Sequence, residues 1–93
     1  SDTVIDDETF AQLQDIYSNL VELHTTVADA VNDGTIEADA ETVDLLNQAA
    51  DVIKEIGDIE QTDFTDEDEA LQLVDSMSKI ADGLAAVAGV DAE

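Results

Sequence analysis

Apolar side chains recur at helical spacing in three segments, and this periodicity limits the possible folds more than any other feature of the chain. The first stripe contains Phe10, Leu13, Ile16, Tyr17, Leu20, Leu23, Val27, Ala30 and Val31. Residues three or four positions apart lie on one face of an α-helix. No run alternates with a period of two, and proline is absent. The pattern therefore predicts an all-α protein.

The first predicted helix covers about residues 7–32. Asp6 is placed to cap its start, and Ile5 and Phe10 have the spacing of a hydrophobic staple. Gly34 follows the last apolar residues and is suited to a helix C-terminus.

The second predicted helix covers about residues 39–56, with Asp39 as its cap and Gly57 after its end. Ile36, in the short connection before it, is expected to anchor in the core. The apolar residues assigned to the buried face of this helix are Val43, Leu46, Ala49, Ala50, Ile53 and Ile56.

The third predicted helix covers about residues 66–88 and follows a polar loop over residues 58–64. Thr65 and Asp68 have the spacing of a capping box, and Gly89 is placed to end the helix. Its apolar residues are Ala70, Leu73, Val74, Met77, Ile80, Ala81, Leu84, Val87 and Ala88.

Three amphipathic helices joined by short connections bury their apolar faces most simply as a small antiparallel three-helix bundle. The length of 93 residues suits one domain, so residues 1–93 are interpreted as a single acidic helical-bundle domain. A dimer of long helical hairpins is the alternative.

The chain carries 25 carboxylates against two lysines, Lys54 and Lys79, which gives a net charge of −23. Such a surface repels nucleic acids and anionic membranes, so direct binding to either is not expected. No stretch reaches the roughly 20 apolar residues of a membrane span, and the first residues lack the pattern of a signal peptide. We expect a cytoplasmic or virion protein that is not in a membrane.

Carboxylates spaced seven residues apart predict an acidic row on each helix. The rows are Glu8, Asp15, Glu22 and Asp29; Glu37, Asp44, Asp51 and Asp58; and Asp68, Asp75 and Asp82. Along a bundle of about 39 Å the charge would approach the density of duplex DNA, roughly one per 1.7 Å. Mimicry of DNA is one interpretation, and ordinary solvation of outward heptad positions is the other.

Asp outnumbers Glu by 16 to 9, and lysine is scarce. This composition resembles that of proteins from salt-accumulating organisms, although the absence of arginine departs from it. Under either explanation of the charge, added salt should screen repulsion and raise the melting temperature.

Small residues on the third helix form a candidate docking ridge, defined as Ala81, Gly83, Ala85 and Gly89. Small side chains let another helix approach closely, and Gly83 is unusual because glycine inside a helix costs about 1 kcal/mol relative to alanine. The ridge fits either the tapered end of this bundle or a contact with another subunit.

No catalytic constellation stands out, and we expect neither an enzyme nor a bound cofactor or metal. Asp33 and Gly34 fit part of a calcium loop, but the carboxylate at Glu41 falls one position late, so a helix C-cap is favoured. His24 is the only histidine and is expected at a core boundary.

The leading functional hypothesis is a structural or assembly protein that docks onto a larger complex, such as a virus particle. The partner would be a protein, for example one with a cationic surface, and a homo-oligomer stays open. The alternative is a DNA-mimic inhibitor of a nucleic-acid-binding protein such as a defence nuclease, and a calcium-responsive adaptor is the third hypothesis.

Overall fold

A computed structural model describes residues 5–57 and 60–89. These residues form α1 (Asp7–Asn32), α2 (Ala40–Ile56), a single 3₁₀ turn (Gln61–Asp63) and α3 (Glu67–Ala88). Each helix packs against the other two. The predicted all-α three-helix bundle is confirmed, and the helix bounds agree with the sequence to within one residue.

Aspartates cap the starts of all three helices. Asp6 accepts a 2.9 Å hydrogen bond from the Thr9 amide, and Asp39 accepts one of 2.8 Å from the Thr42 amide. Both predicted caps are confirmed, since each side chain satisfies an amide that has no partner inside the helix.

The predicted capping box at Thr65 is wrong by one residue, because Asp66 is the cap. Its carboxylate accepts a 2.7 Å hydrogen bond from the amide of Glu69. The Glu69 side chain accepts in turn from the amide of Thr65, at 3.2 Å. The charged carboxylate of Asp66 forms a stronger hydrogen bond with a free helix amide than the neutral hydroxyl of Thr65 would.

Glycines in the left-handed conformation follow the ends of α1 and α3. Gly34 has a φ of +85° and Gly89 a φ of +73°, values that side chains disfavour. The amide of Gly34 donates to the carbonyl of Val31 at 3.3 Å, and that of Gly89 donates to Ala86 at 3.2 Å. Both predicted helix ends are confirmed.

The largest helix interface joins α1 to α3. The bulkiest fully buried side chains of these two helices are Leu13, Leu20 and Val27 from α1 with Met77 and Leu84 from α3. These residues come from the predicted stripes. The first and last helices therefore supply the largest fully buried side chains of the described helices.

The inward face of α2 agrees with the predicted face only in part. Ala49 and Ile56 are buried and Leu46 and Ile53 pack against the core, as predicted, but two other predicted members do not. Val43 is 41% exposed and Ala50 is exposed, whereas Thr42 is buried. Leu45 and Val52, which the predicted stripe omits, pack partly buried against the core. Thr42, Ala49 and Ile56 are spaced by seven, and this line rather than the line through Val43 meets the other helices.

The sequence predicts a polar loop over residues 58–64 before α3, but this prediction is wrong at Phe64. Phe64 is only 4% exposed, and it follows the 3₁₀ turn directly. Gln61 Nε2 donates to the Ile5 carbonyl at 2.9 Å and to the Asp7 carboxylate at 3.0 Å. These hydrogen bonds and Phe64 hold the connection against the beginning of α1. Residues 58–59 lie outside the described residues.

The first predicted anchors also lie in the core. Ile5 is 1% exposed, and Phe10 and Ile36 are partly buried against the same cluster. The apolar residues on both sides of the Asp6 cap thus fix how the chain enters α1.

Candidate functional site

The acidic rows of α1 and α3 lie on the outside of the bundle. All their members are exposed, namely Glu8, Asp15, Glu22, Asp29, Asp68, Asp75 and Asp82. Within each of these two helices the row runs along a solvent-facing surface, because residues seven apart return to nearly the same side after two turns.

The second row is shorter than its spacing suggests. Glu37 is exposed but lies in the connection before α2, since the cap at Asp39 starts the helix at Ala40. Asp44 and Asp51 are exposed within α2. Asp58 lies outside the described residues. The structure therefore shows two members of this row on the helix itself.

Little of the negative charge is compensated within the described residues. Lys79 Nζ lies 3.1 Å from the Asp75 carboxylate, and both side chains are largely exposed. This is the only ion pair found among residues 5–57 and 60–89. Exposed pairs are weak and screened by salt, so the outer surface stays strongly anionic.

Three carboxyl groups have a pKa below the ordinary value because they accept hydrogen bonds. The backbone amide of Thr9 and then its side chain lower the pKa of Asp6, and Thr42 acts in the same order on the pKa of Asp39. The hydroxyl of Thr35, 2.6 Å away, and then its amide lower the pKa of Asp33. All three groups stabilise helix caps or turns, so their pKa shifts do not indicate catalysis.

The structure reduces the linear charge density expected from the sequence. Its Cα atoms extend over 49 × 26 × 16 Å. With the full net charge of −23, this is roughly one charge per 2.1 Å along 49 Å, compared with about 1.7 Å for duplex DNA. The bundle is therefore less densely charged than the duplex.

The small-residue ridge contributes to packing within this chain. Ala81 and Ala85 are 3% and 8% exposed and belong to the core, whereas Gly89 is exposed at the end of α3. A Cβ atom added to Gly83 would lie 2.8 Å from Leu45 Cδ2 of α2. The close approach of α2 explains the glycine, and docking of another subunit on the ridge stays a prediction.

Leu45 also borders an open groove of about 580 Å³ between α2 and α3. Its lining is Glu41, Asp44, Leu45, Gly83, Ala86 and Val87. The sequence marked Gly83 as unusual but did not include Leu45 in the apolar face. The inward position of Leu45, beside Gly83, places this groove between the two helices.

The candidate metal ligands do not converge in the described part of the chain. No group of three histidines or acidic residues there has the geometry to hold a metal ion. Asp33 instead accepts hydrogen bonds from Thr35 in the turn after α1. His24 is partly buried on α1, at the boundary where it was predicted.

No protein-family model, curated protein or solved structure matches the chain. In residues 5–57 and 60–89, no helix combines the length and apolar character needed to cross a membrane.

Proposed function

We propose that this protein is a non-enzymatic interaction subunit that docks, through its acidic exterior, onto a cationic surface of a protein partner. The observation that carries the proposal is the exposure of every described member of the acidic rows over an apolar interior. Complementary charge steers association and selects among partners. A larger complex, such as the virus particle suggested by the sequence, is one setting for such a subunit.

The packed interior is consistent with a protein that acts as a scaffold for its acidic surface. In the described residues, every buried side-chain nitrogen or oxygen has a hydrogen-bond partner. The core is formed by aliphatic side chains with Met77 and Phe64. The chemistry that remains available to a partner therefore lies on the surface.

A protein partner is favoured over the role of DNA decoy by the spacing of the carboxylates. Members of a row are about 10 Å apart along a helix, and the net charge per length is below that of duplex DNA. A basic protein surface can adapt to such a pattern with flexible lysine and arginine side chains. A DNA-binding site, which is shaped for regularly spaced phosphates, fits this wider carboxylate spacing less well.

The test uses a partner captured from the native source and then purified. Its affinity is measured for the wild-type protein and for two variants of matched design. One variant neutralises three members of the α1 row (E8Q, D15N and E22Q), and the other neutralises the α3 row (D68N, D75N and D82N). We expect at least one variant to lose about tenfold or more in affinity, and wild-type binding to weaken as salt rises.

Thermal unfolding is the control for these variants. It should show little change in melting temperature, because relief of repulsion opposes the loss of the Lys79–Asp75 pair and of the first-turn charges at Glu8 and Asp68. Equal affinity of the wild type and both variants, persisting in molar salt, would contradict the proposal. Stoichiometric competition by duplex DNA would instead assign the decoy function.

A further inference from the structure

The groove between α2 and α3 combines an apolar floor with an acidic edge. Leu45, from α2, and Val87, from α3, are partly buried against the core yet line the open groove. Ala86 also lines it and is exposed. The apolar surface is thus available to a partner without unfolding of the bundle.

Gly83 determines the shape of the groove floor. Any side chain here would meet Leu45, whose Cδ2 and Cδ1 atoms would lie 2.8 and 3.1 Å from an added Cβ. The glycine therefore lets α2 and α3 approach while leaving no side chain of its own to fill the space between them. An open surface remains beside Leu45.

The edge of the groove carries negative charge. Glu41 and Asp44 both line it and are exposed, and they lie on successive positions of the same α2 face. Asp82, immediately before Gly83, is exposed on α3. Apolar anchors inserted here would be flanked by carboxylates.

These features select the chemistry of the occupant. A second copy of this chain is disfavoured, because its 25 carboxylates and two lysines would bring like charges to the groove. We propose that the groove binds a basic amphipathic helix of a partner protein. This inference rests on the proposed function and places the cationic partner at one edge of the bundle.

In this arrangement, apolar residues on one face of the partner helix cover Leu45 and Val87. Lysine or arginine residues beside them pair with Glu41 and Asp44. Such a helix-in-groove contact gains affinity from buried apolar area, while the charges fix orientation and exclude acidic helices.

The test uses a synthetic amphipathic peptide of about 18 residues, with leucines at helical spacing on one face and lysines beside them. A control peptide keeps the lysines and replaces the leucines with glutamine. Calorimetry measures the affinity of both for the full chain and for the A86Q and A11Q variants. Both substitutions leave the net charge unchanged and lie at exposed helical positions, but only Ala86 lines the groove.

We expect A86Q to weaken binding of the leucine peptide by about tenfold or more, and A11Q by less than about twofold. The control peptide should bind about tenfold or more weakly than the leucine peptide. The E41Q/D44N variant should reduce the salt dependence of binding. Thermal unfolding of each variant establishes that the fold is retained.

Equal losses in A86Q and A11Q, or equal affinity of the two peptides, would overturn the groove assignment and leave a general acidic surface intact. Failure of both peptides to bind even at low salt would contradict the proposed function as well. The two results therefore separate the location of the partner from its charge.

Discussion

The α1–α3 interface and the edge of the bundle formed by α2 are built differently. Large aliphatic residues such as Leu20 of α1 and Leu84 of α3 are fully buried. The residues of α2 that are fully enclosed are Thr42, Ala49 and Ile56, two of which are small or polar. Larger α2 side chains, including Leu45, remain partly accessible.

This difference suits α1 and α3 to stabilising the fold and the α2 edge to binding a partner. Because α1 and α3 fully bury larger apolar side chains than α2 does, they contribute more of the hydrophobic stabilisation. The lighter packing of α2 leaves apolar surface beside carboxylates, which is the combination that a basic helix requires. Local opening should therefore begin at α2 more readily than at the α1–α3 interface.

Truncation of one leucine in each region gives the largest expected effect. L20A removes a fully buried side chain from the central interface, and we expect a loss of about 3 kcal/mol in the free energy of unfolding. L45A removes a partly exposed side chain and should cost about 1 kcal/mol. Urea unfolding of both variants measures the difference. Equal losses would show that α2 contributes as much to the core as α1.

A double-mutant cycle at Gly83 and Leu45 sharpens the description of the α2 edge. Alanine at position 83 should gain about 1 kcal/mol in helix propensity. In the wild-type background the Leu45 side chain must shift to make room for the added Cβ, which should offset part of this gain. In the L45A background, G83A should stabilise the protein by about 1 kcal/mol, which urea unfolding can measure. The same gain in both backgrounds would contradict a close Gly83–Leu45 contact.

The cap of α2 gives the smallest expected effect. D39A and D39N lose the same charge, but only asparagine can still accept the hydrogen bond from the Thr42 amide. We therefore expect D39A to melt at a lower temperature than D39N. Amide hydrogen exchange should show the loss of protection mainly in α2, and equal losses in α1 and α3 would contradict separate opening of α2.

The same cap should respond to acid in the wild-type protein. Hydrogen bonds from Thr42 lower the folded-state pKa of Asp39 below the ordinary value of 3.8. The stabilisation is complete above that ordinary value and is lost as the pH falls through the folded-state pKa. The advantage of the wild type over D39A should therefore shrink below about pH 3.8, as followed by thermal unfolding.

Local rules predicted much of the fold because the signals lie within one or two turns of each helix end. The caps at Asp6 and Asp39 and the glycines at positions 34 and 89 are examples. The cap at Asp66 was missed by one residue because Thr65 and Asp66 are both acceptable caps, and the sequence pattern favoured the threonine. The 3₁₀ turn is closed locally by hydrogen bonds between Glu60 and Asp63, whereas the contact of Gln61 with the Ile5 carbonyl joins residues far apart in the sequence, and local rules do not specify it.

The candidate site was only partly predictable for the same reason. Exposure of the α1 and α3 rows follows from helical periodicity. The groove, by contrast, depends on which side of α2 faces α3. Leu45 and Val52 lie on one apolar line of this helix and Val43 and Ala50 on another, and the structure turns the first line inward. Both lines are aliphatic, so no local signal distinguishes them.

The sequence by itself determined an all-α chain with three capped amphipathic helices and an anionic exterior. These properties are local, since they depend on periodicity, capping and the cost of burying charge. Only the tertiary structure decided the rotation of α2, the contact between Leu45 and Gly83, and hence the position of the groove. Those outcomes depend on how side chains from separate helices share the same space, which spacing along one helix does not specify.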